Sequence, residues 1–487
     1  EMLSSSEIMA AVYDSDSGSF TTTRLTTDST PDMAPVAVAK GNRAIAAWRS
    51  VVASDMESPL DFSGRNDIMY SVFDGTDWSK AKLLYDGSIN GINALNAAML
   101  SDGTIAITYQ VTKNGTEKCE KFENFEACDC KNCKNHDNSE IICALLDADG
   151  DIKTVLNMTN NDARDENPQI TSAVFPDGIE RFVLGWNTEN VLRLSAINSE
   201  GDIYTDFAME IGNAADTSNY SGFRFVKGAE NIEDLSIVWS EPDIKSAVSE
   251  NIYKDSLWGI KLIKESFSDD ESDYAITASG KQRLLELDEQ NTADSFDACL
   301  SSDDSKEISF AMLLTDHSTE LSPAKLAIAK AGYKNELVVD EPYFSYEDVL
   351  PGLDMPVLFR IQNAGVESIN KVSVQLGDES YQFDAEALRP DESKDYSVLY
   401  TIADPVANTG YSIKAQFNDG SEVIKNGVFK IDVPDVGIKE INLTRETNKQ
   451  RDFSVQLANN SYSKLTAGKH TVKLLVYDTT DFEARTP

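Results

Sequence analysis

Basic residues are scarce in this sequence. Against 82 Asp and Glu it carries 43 Lys and Arg, for a formal net charge of −39. A nucleic-acid partner needs a basic face to neutralise phosphates, and an anionic membrane surface attracts basic segments, so the balance argues against both. Long apolar runs are missing too: none approaches the ~20 residues of a membrane-crossing helix, so this segment has no membrane span. No signal peptide precedes the opening Glu1, which reads as the start of a mature or excised piece. Histidine is down to three residues, at 136, 317 and 470, with no spacing that supports a Ser-His-Asp triad. Helical periodicity is hard to find in the first 340 residues. What is present is apolar surface: 41% hydrophobic and 9% aromatic residues are enough for real cores, so the charge does not mean disorder. The length of 487 residues suggests two to four domains.

Short alternating β runs dominate as far as about residue 340, and they repeat. One half-repeat is a hairpin with an acidic or Gly turn: Met9 to Gly18, Ile68 to Gly75, Ile142 to Gly150 and Leu192 to Gly201, with weaker copies from Leu257 and Lys325. The other ends on an apolar strand, four times with an aromatic: Ala44 to Trp48, Ile105 to Tyr109, Phe182 to Trp186, Leu235 to Trp239, and finally Ile308 to Leu314. Four strands per ~50 residues plus insertions is the pattern of propeller blades; a solenoid or stacked sandwiches are the competing readings. The phase adds an expectation. Five blades are complete, and the hairpin at 8–25 lacks inner strands, which residues upstream of Glu1 would supply to give a ring of six blades or more.

The segment Ser71-Val-Phe-Asp74-Gly75-Thr76-Asp77-Trp78 resembles a degenerate Asp-box, whose usual form is Ser-x-Asp-x-Gly-x-Thr-Trp. Phe73 and Asp77 replace the first Asp and the Thr. The repeats over about 8–340 thereby resemble the sialidase-type propeller families, in which Asp-boxes are structural hairpin features. That resemblance implies an active site of three Arg around a carboxylate, a Tyr nucleophile helped by Glu, and an acidic general acid. Only nine Arg occur before residue 340, and Arg49 alone directly follows a Trp-ending strand, so no convincing triad stands out.

From about Asp340 the texture changes. Asn363-Ala-Gly365, Leu388-Arg-Pro-Asp-Glu-Ser393 and Gly410-Tyr-Ser-Ile-Lys-Ala415 resemble the bacterial CARDB-type immunoglobulin-like domain, with Asp391 where Gly is usual. Strands with turns every 8–12 residues fit a sandwich independently. A second, shorter copy starts at Pro434 and carries Leu465-Thr-Ala-Gly-Lys469 and Thr471 to Tyr477. The expected architecture is all-β: a β-propeller over 1–340 with a Cys-rich insertion at 111–140, an Ig-like CARDB-type domain over 341–433, and the start of a second, partial one over 434–487.

Several groups could carry chemistry. Cys119, Cys128, Cys130, Cys133 and His136 crowd one insertion, where thiolate and imidazole ligands suit tetrahedral Zn; disulfides or free thiols are the alternatives. Cys143 and Cys299 fall on expected strands and read as buried small hydrophobes. The acidic turns Asp14, Asp16 and Asp147, Asp149, Asp151 resemble Ca²⁺ loops in composition but lack the twelve-residue register ending in Glu, and Asp and Gly also make ordinary hairpin turns. The cofactor is unassigned, with Zn and Ca as the ions such residues hold. Insertions at 49–66, 110–140, 240–256 and 315–323 all follow the second strand of a blade, so they emerge on one face. Trp48, Arg49, Tyr109, Gln110, Trp186, Asn187 and Trp239 mark the roots of that face; the rings read as core and the polar residues as contacts. The expectation is an extracellular or cell-surface bacterial adhesion protein. It binds a glycan or protein ligand outside the cell through the loop-rich face, with Ig-like domains as spacers. A sialidase-like glycoside hydrolase and a structural scaffold of a larger assembly are the alternatives.

Overall fold

A computed structural model describes residues 6–14, 17–28, 30–51, 66–86, 91–112, 139–161, 163–189, 191–212, 222–228, 230–242, 255–266, 274–287, 291–300, 307–316, 324–344, 354–401, 408–430, 436–447 and 451–459. The chain divides into two compact units, Glu1–Tyr333 and Lys334–Pro487. It is all-β: apart from one 3₁₀ turn at Ile232–Asp234, the described elements are strands. Among the described residues no helix is long and apolar enough to cross a membrane.

The first unit opens with a hairpin, β1 (Met9–Asp14) and β2 (Ser19–Arg24). Antiparallel meanders follow in chain order. They are β3 (Asp32–Lys40), β4 (Arg43–Val51), β5 (Asn66–Phe73) and β6 (Lys82–Tyr85); then β7 (Gly91–Met99), β8 (Ile105–Thr112), β9 (Ser139–Leu146) and β10 (Ile152–Asn157); then β11 (Asp165–Val174), β12 (Glu180–Thr188), β13 (Val191–Ile197) and β14 (Ile203–Ile211). The fourth sheet is β15 (Arg224–Lys227), β16 (Leu235–Pro242) and β17 (Asp255–Ser266), with its outermost strand split: β18 (Tyr274–Ala278) pairs with one end of β17 and β19 (Gln282–Glu286) with the other. The fifth is β20 (Asn291–Leu300), β21 (Glu307–Asp316) and β22 (Lys325–Gly332).

The sequence pattern follows from this stacking. Second strands such as β4 and β12 are covered on both faces and read as continuous apolar runs, whereas outermost strands such as β10 alternate because one face meets water. Each interface between successive sheets is one core. Ile45, Tyr70, Ile107 and Tyr109 fill the first, Ala106, Leu145, Phe182 and Trp186 the second, Val183, Phe223, Ile237 and Trp239 the third. Turns from three sheets also converge: Lys40 pairs with Glu180, whose other oxygen accepts the Ser101 amide at 2.7 Å. Burial works against the Glu180 carboxylate, yet Lys40 and the Ser101 amide hold it below its ordinary range. Sheets packed face to face, with first-strand turns meeting at a common centre, are propeller blades in order. Hairpin β1–β2 pairs with nothing else among the described residues.

The Asp-box-like segment is a built turn. Asp74 Oδ1 accepts the Thr76 and Asp77 amides at 2.8 and 2.9 Å, and Trp78 folds back on Phe73 with ring centroids 5.4 Å apart. Those amides, Asp77's first, lower the Asp74 carboxyl.

The second unit contains a two-sheet sandwich. β23 (Leu337–Val339), β24 (Tyr343–Phe344), β25 (Asp354–Asn363) and β28 (Ser393–Thr401) form one sheet. β26 (Ile369–Leu376), β27 (Glu379–Leu388), β29 (Asn408–Phe417) and β30 (Glu422–Lys430) form the other. Val357, Phe359, Val374, Ile413 and Phe417 lie between them. A separate hairpin, β31 (Val436–Glu446) with β32 (Arg451–Asn459), pairs only with itself among the described residues. Asn363 of the Asn363-x-Gly365 turn is fully buried: its Nδ2 donates to the carbonyls of Glu367 and Leu388 at 2.8 and 2.9 Å, and its Oδ1 accepts the Gly365 amide at 2.9 Å. Asp391 has φ of 64°, in the left-handed region that favours Gly. Replacing Asn363 by Ala strips partners from three backbone groups, two of them in buried bonds, and should destabilise this unit by about 2 kcal/mol or more. Hydrogen exchange of the β25 and β28 amides in the intact chain measures it; an unchanged rate would contradict the assignment.

Candidate functional site

The seven residues at the ends of the second strands do occupy equivalent places, but burial sorts them. Trp48, Tyr109 and Trp239 are core, and Trp186 nearly so. Burial pushes the Tyr109 phenol up and the Arg49 guanidinium down from their usual values. Gln110 and Asn187, at 5% exposure each, face protein rather than water. The first strands β3, β7 and β11 each carry a bulge beside these ends, and the bulged Ala34, Ala94 and Asn167 have φ of 49°, 45° and 53°. Strain repeated at one place in three sheets marks a constrained rim. Gln110 Oε1 accepts the Asn167 amide at 3.2 Å, tying one blade's rim to the next.

Two acids that sequence reasoning missed lie just before the bulges. Asp32 is 3% exposed and accepts the Trp48 indole N–H at 3.2 Å, while its Oδ2 has no hydrogen-bond partner. Burial pushes its carboxyl up, with the Ser50 and Thr26 hydroxyls acting against it. Asp165 is fully buried and accepts from Thr188 Oγ1 and, at 3.0 Å, from Asn161 Nδ2. Beside it, Glu140 accepts the Thr159 hydroxyl at 2.6 Å and the Asn161 amide at 3.1 Å. A signal existed for both. Ser6-Glu7-Ile8 and Ser139-Glu140-Ile141 open gap-free copies in which Thr26 and Thr159, Asp32 and Asp165, and Pro35 and Pro168 follow at identical spacings.

A cavity of about 550 Å³ opens against this network. Its lining includes Thr159, Asn161, Trp186, Thr188 and Arg193. The Trp186 indole N–H and the Asn187 Oδ1 nearby are buried without partners. Trp239 is arranged differently: its indole donates to Glu241, whose carboxylate also receives Lys281 Nζ at 2.8 and 2.6 Å. That ammonium lies 4.5 Å from the centre of the Trp258 ring.

Several of the described arginines are tied to separate partners. Arg24 pairs with Glu7, Arg164 with Glu166, Arg181 with Asp177, Arg193 with Glu210 and Arg283 with Glu286. Arg43 donates to the Ala148 carbonyl, and Arg224 to those of Gly222 and Phe223. The turn acids are likewise engaged: Asp147 Oδ1 accepts the Asp149 and Asp151 amides at 3.0 and 2.9 Å, and Asp151 pairs with Lys82 at 2.9 Å. Among the described residues no group of three His, Cys, Asp or Glu is placed to hold a metal ion. Cys119, Cys128, Cys130, Cys133, His136, Asp16 and the Asp14 side chain lie outside the described residues. Cys143 is buried, its thiol pushed up to about 12 by burial. Cys299 corrects the expectation of a second buried thiol: it is exposed, because alternation along β20 turns Phe296 inward and Cys299 out.

No family model matches the chain, and no curated protein does. Among solved structures, the chain is similar to a Dyadobacter fermentans protein of unknown function (13% identity, 87% of this chain and 98% of that one, TM-score 0.29). It is also similar to a Trypanosoma rangeli sialidase in complex with sialic acid (7%, 96% and 92%, TM-score 0.29). A third is a Ca²⁺-stabilised adhesin of an Antarctic bacterium that binds ice (9%, 88% and 91%, TM-score 0.15).

Because the Asp32 carboxyl is raised above the 3.8 of a free one, the folded state binds its proton more tightly than the unfolded state. Its burial therefore penalises stability increasingly as pH rises from about 3.8 through the folded value. Asp32→Asn keeps an acceptor for Trp48 and removes that charge. Its melting temperature should exceed the parent's at pH 7, with the gap closing toward pH 3.5; a variant less stable at pH 7 would contradict the assignment.

Proposed function

We propose that the chain is an extracellular binding protein of a bacterial surface, with a propeller that holds a glycan through the rim at the ends of its second strands. The sandwich over about 341–433 serves as a CARDB-type spacer, and the segment from 434 begins another. The observation that carries the reading is the cavity beside Trp186. Its volume of about 550 Å³ is that of a small-ligand site. Its wall combines an indole, a guanidinium, an Asn amide and Thr hydroxyls. Planar and hydroxyl donors suit the hydroxyls of a sugar. An ion pair to Glu210 holds Arg193.

Binding without turnover is the reading proposed here, with a sialidase-like hydrolase as the alternative. A glycan array, followed by a hydrolysis assay on the positive glycans, tests the proposal. The chain should retain at least one glycan class and leave it intact, and Arg193→Ala should weaken retention about tenfold or more. Silence across the array would overturn the glycan reading in favour of a protein ligand. Turnover that fell with Asp32→Asn would replace it with a hydrolase.

A further inference from the structure

The two gap-free copies share structure as well as sequence. In the first, Ser6 Oγ donates to the Asp32 carbonyl and the Ile8 amide donates to Thr26 Oγ1, 26 and 18 residues apart. In the second, Ser139 Oγ donates to the Asp165 carbonyl and the Ile141 amide to Thr159 Oγ1, again 26 and 18 residues apart. Hairpin β1–β2 is therefore the same object as hairpin β9–β10, the outer half of a blade.

The copies differ on their inner side. β9 is paired along its length with β8, from Ser139 opposite Thr112 to Leu146 opposite Ile105, and β7 lies beyond. The corresponding edge of β1 has no strand partner among the described residues. Burial follows: Leu146 is fully buried, while its equivalent Tyr13 is 57% exposed. In the next sheet Ile170 and Ser172 of β11 are buried, while their equivalents Ala37 and Ala39 of β3 are exposed. Between β1 and β3 runs a groove of about 830 Å³, walled by Ala10, Val12, Ala37 and Ala39, with Phe73 and Trp78 also lining it. Small apolar side chains on the walls leave room for the large ones of an incoming segment.

We propose that this groove docks a β-hairpin of a partner, one strand of which pairs antiparallel with β1 and completes its blade. The second copy supplies the mould. There the pairing strand reads Ile105-Ala-Ile-Thr-Tyr-Gln-Val-Thr112, so the occupant is an extended, alternately apolar, β-branched segment that satisfies the open edge through its backbone. This inference is independent of the glycan reading.

The probe is a synthetic peptide of residues 91–112, the hairpin that fills the matching slot, added to the full 487-residue chain. Binding should saturate at one peptide per chain, and amide exchange of residues 9–14 should slow about tenfold or more, with β31–β32 unchanged. Replacing Ile105, Ile107 and Tyr109 of the peptide by Ser should abolish the protection. So should Ala37→Arg with Ala39→Arg in the chain, two exposed positions whose substitution leaves the fold in place. Absence of protection, equal protection by the Ser-substituted peptide, or protection of 9–14 by self-association without peptide would each overturn the proposal, the last by making a second copy the occupant.

Discussion

The joint between the outer hairpin of one blade and the first strand of the next governs this propeller. It is made of buried polar groups that must all be satisfied together. Ser139 bonds the Asp165 backbone at 2.6 Å, Asn161 and Thr188 bond its carboxylate, and Thr159 and Asn161 bond Glu140. A buried carboxylate without donors is expensive, whereas hydrogen bonds to a charged group are worth about 1.5–3 kcal/mol each. The joint thus fixes the angle between sheets more tightly than apolar contact does, since hydrogen bonds are directional. Everything at the rim, including the bulged Asn167 and the Trp186 cavity, takes its position from it.

Much of the fold was legible because it rests on period-two alternation and turn chemistry. The aromatic ends at Trp48, Tyr109, Trp186 and Trp239 are core for the reason that made them visible: second strands are covered on both faces. The Asn363 turn was legible because a side chain that bonds its own backbone leaves a sequence signature. The joint acids were not. Asp32 and Asp165 each stand in a chain of 82 acids, and only the paired spacing of Ser, Thr and Asp separates them from surface charge. Gln110 turns into the blade interface because the bulge in the neighbouring first strand brings the Asn167 amide to it. Cys299 went the other way, set outward by the register of its strand.

The charge imbalance acquires a place in this arrangement. Turn acids are used one blade at a time: Lys82 reaches the Asp147–Asp151 turn of the next sheet, and Lys153 reaches Glu200 and the Ser199 carbonyl in the sheet after that. Such exposed pairs are worth little individually, up to about 1 kcal/mol each. They set spacing rather than stability, and the remaining acids solvate the outer strands.

A double-mutant cycle on Asn161→Ala and Asp165→Asn, whose side chains bond across the connection from one sheet to the next, read by denaturant unfolding of the intact chain, tests the joint most directly. If the buried carboxylate network locks successive blades, the two substitutions couple by about 1 kcal/mol or more. Additivity within about 0.5 kcal/mol would mean that apolar packing alone holds the blades, and would contradict the account.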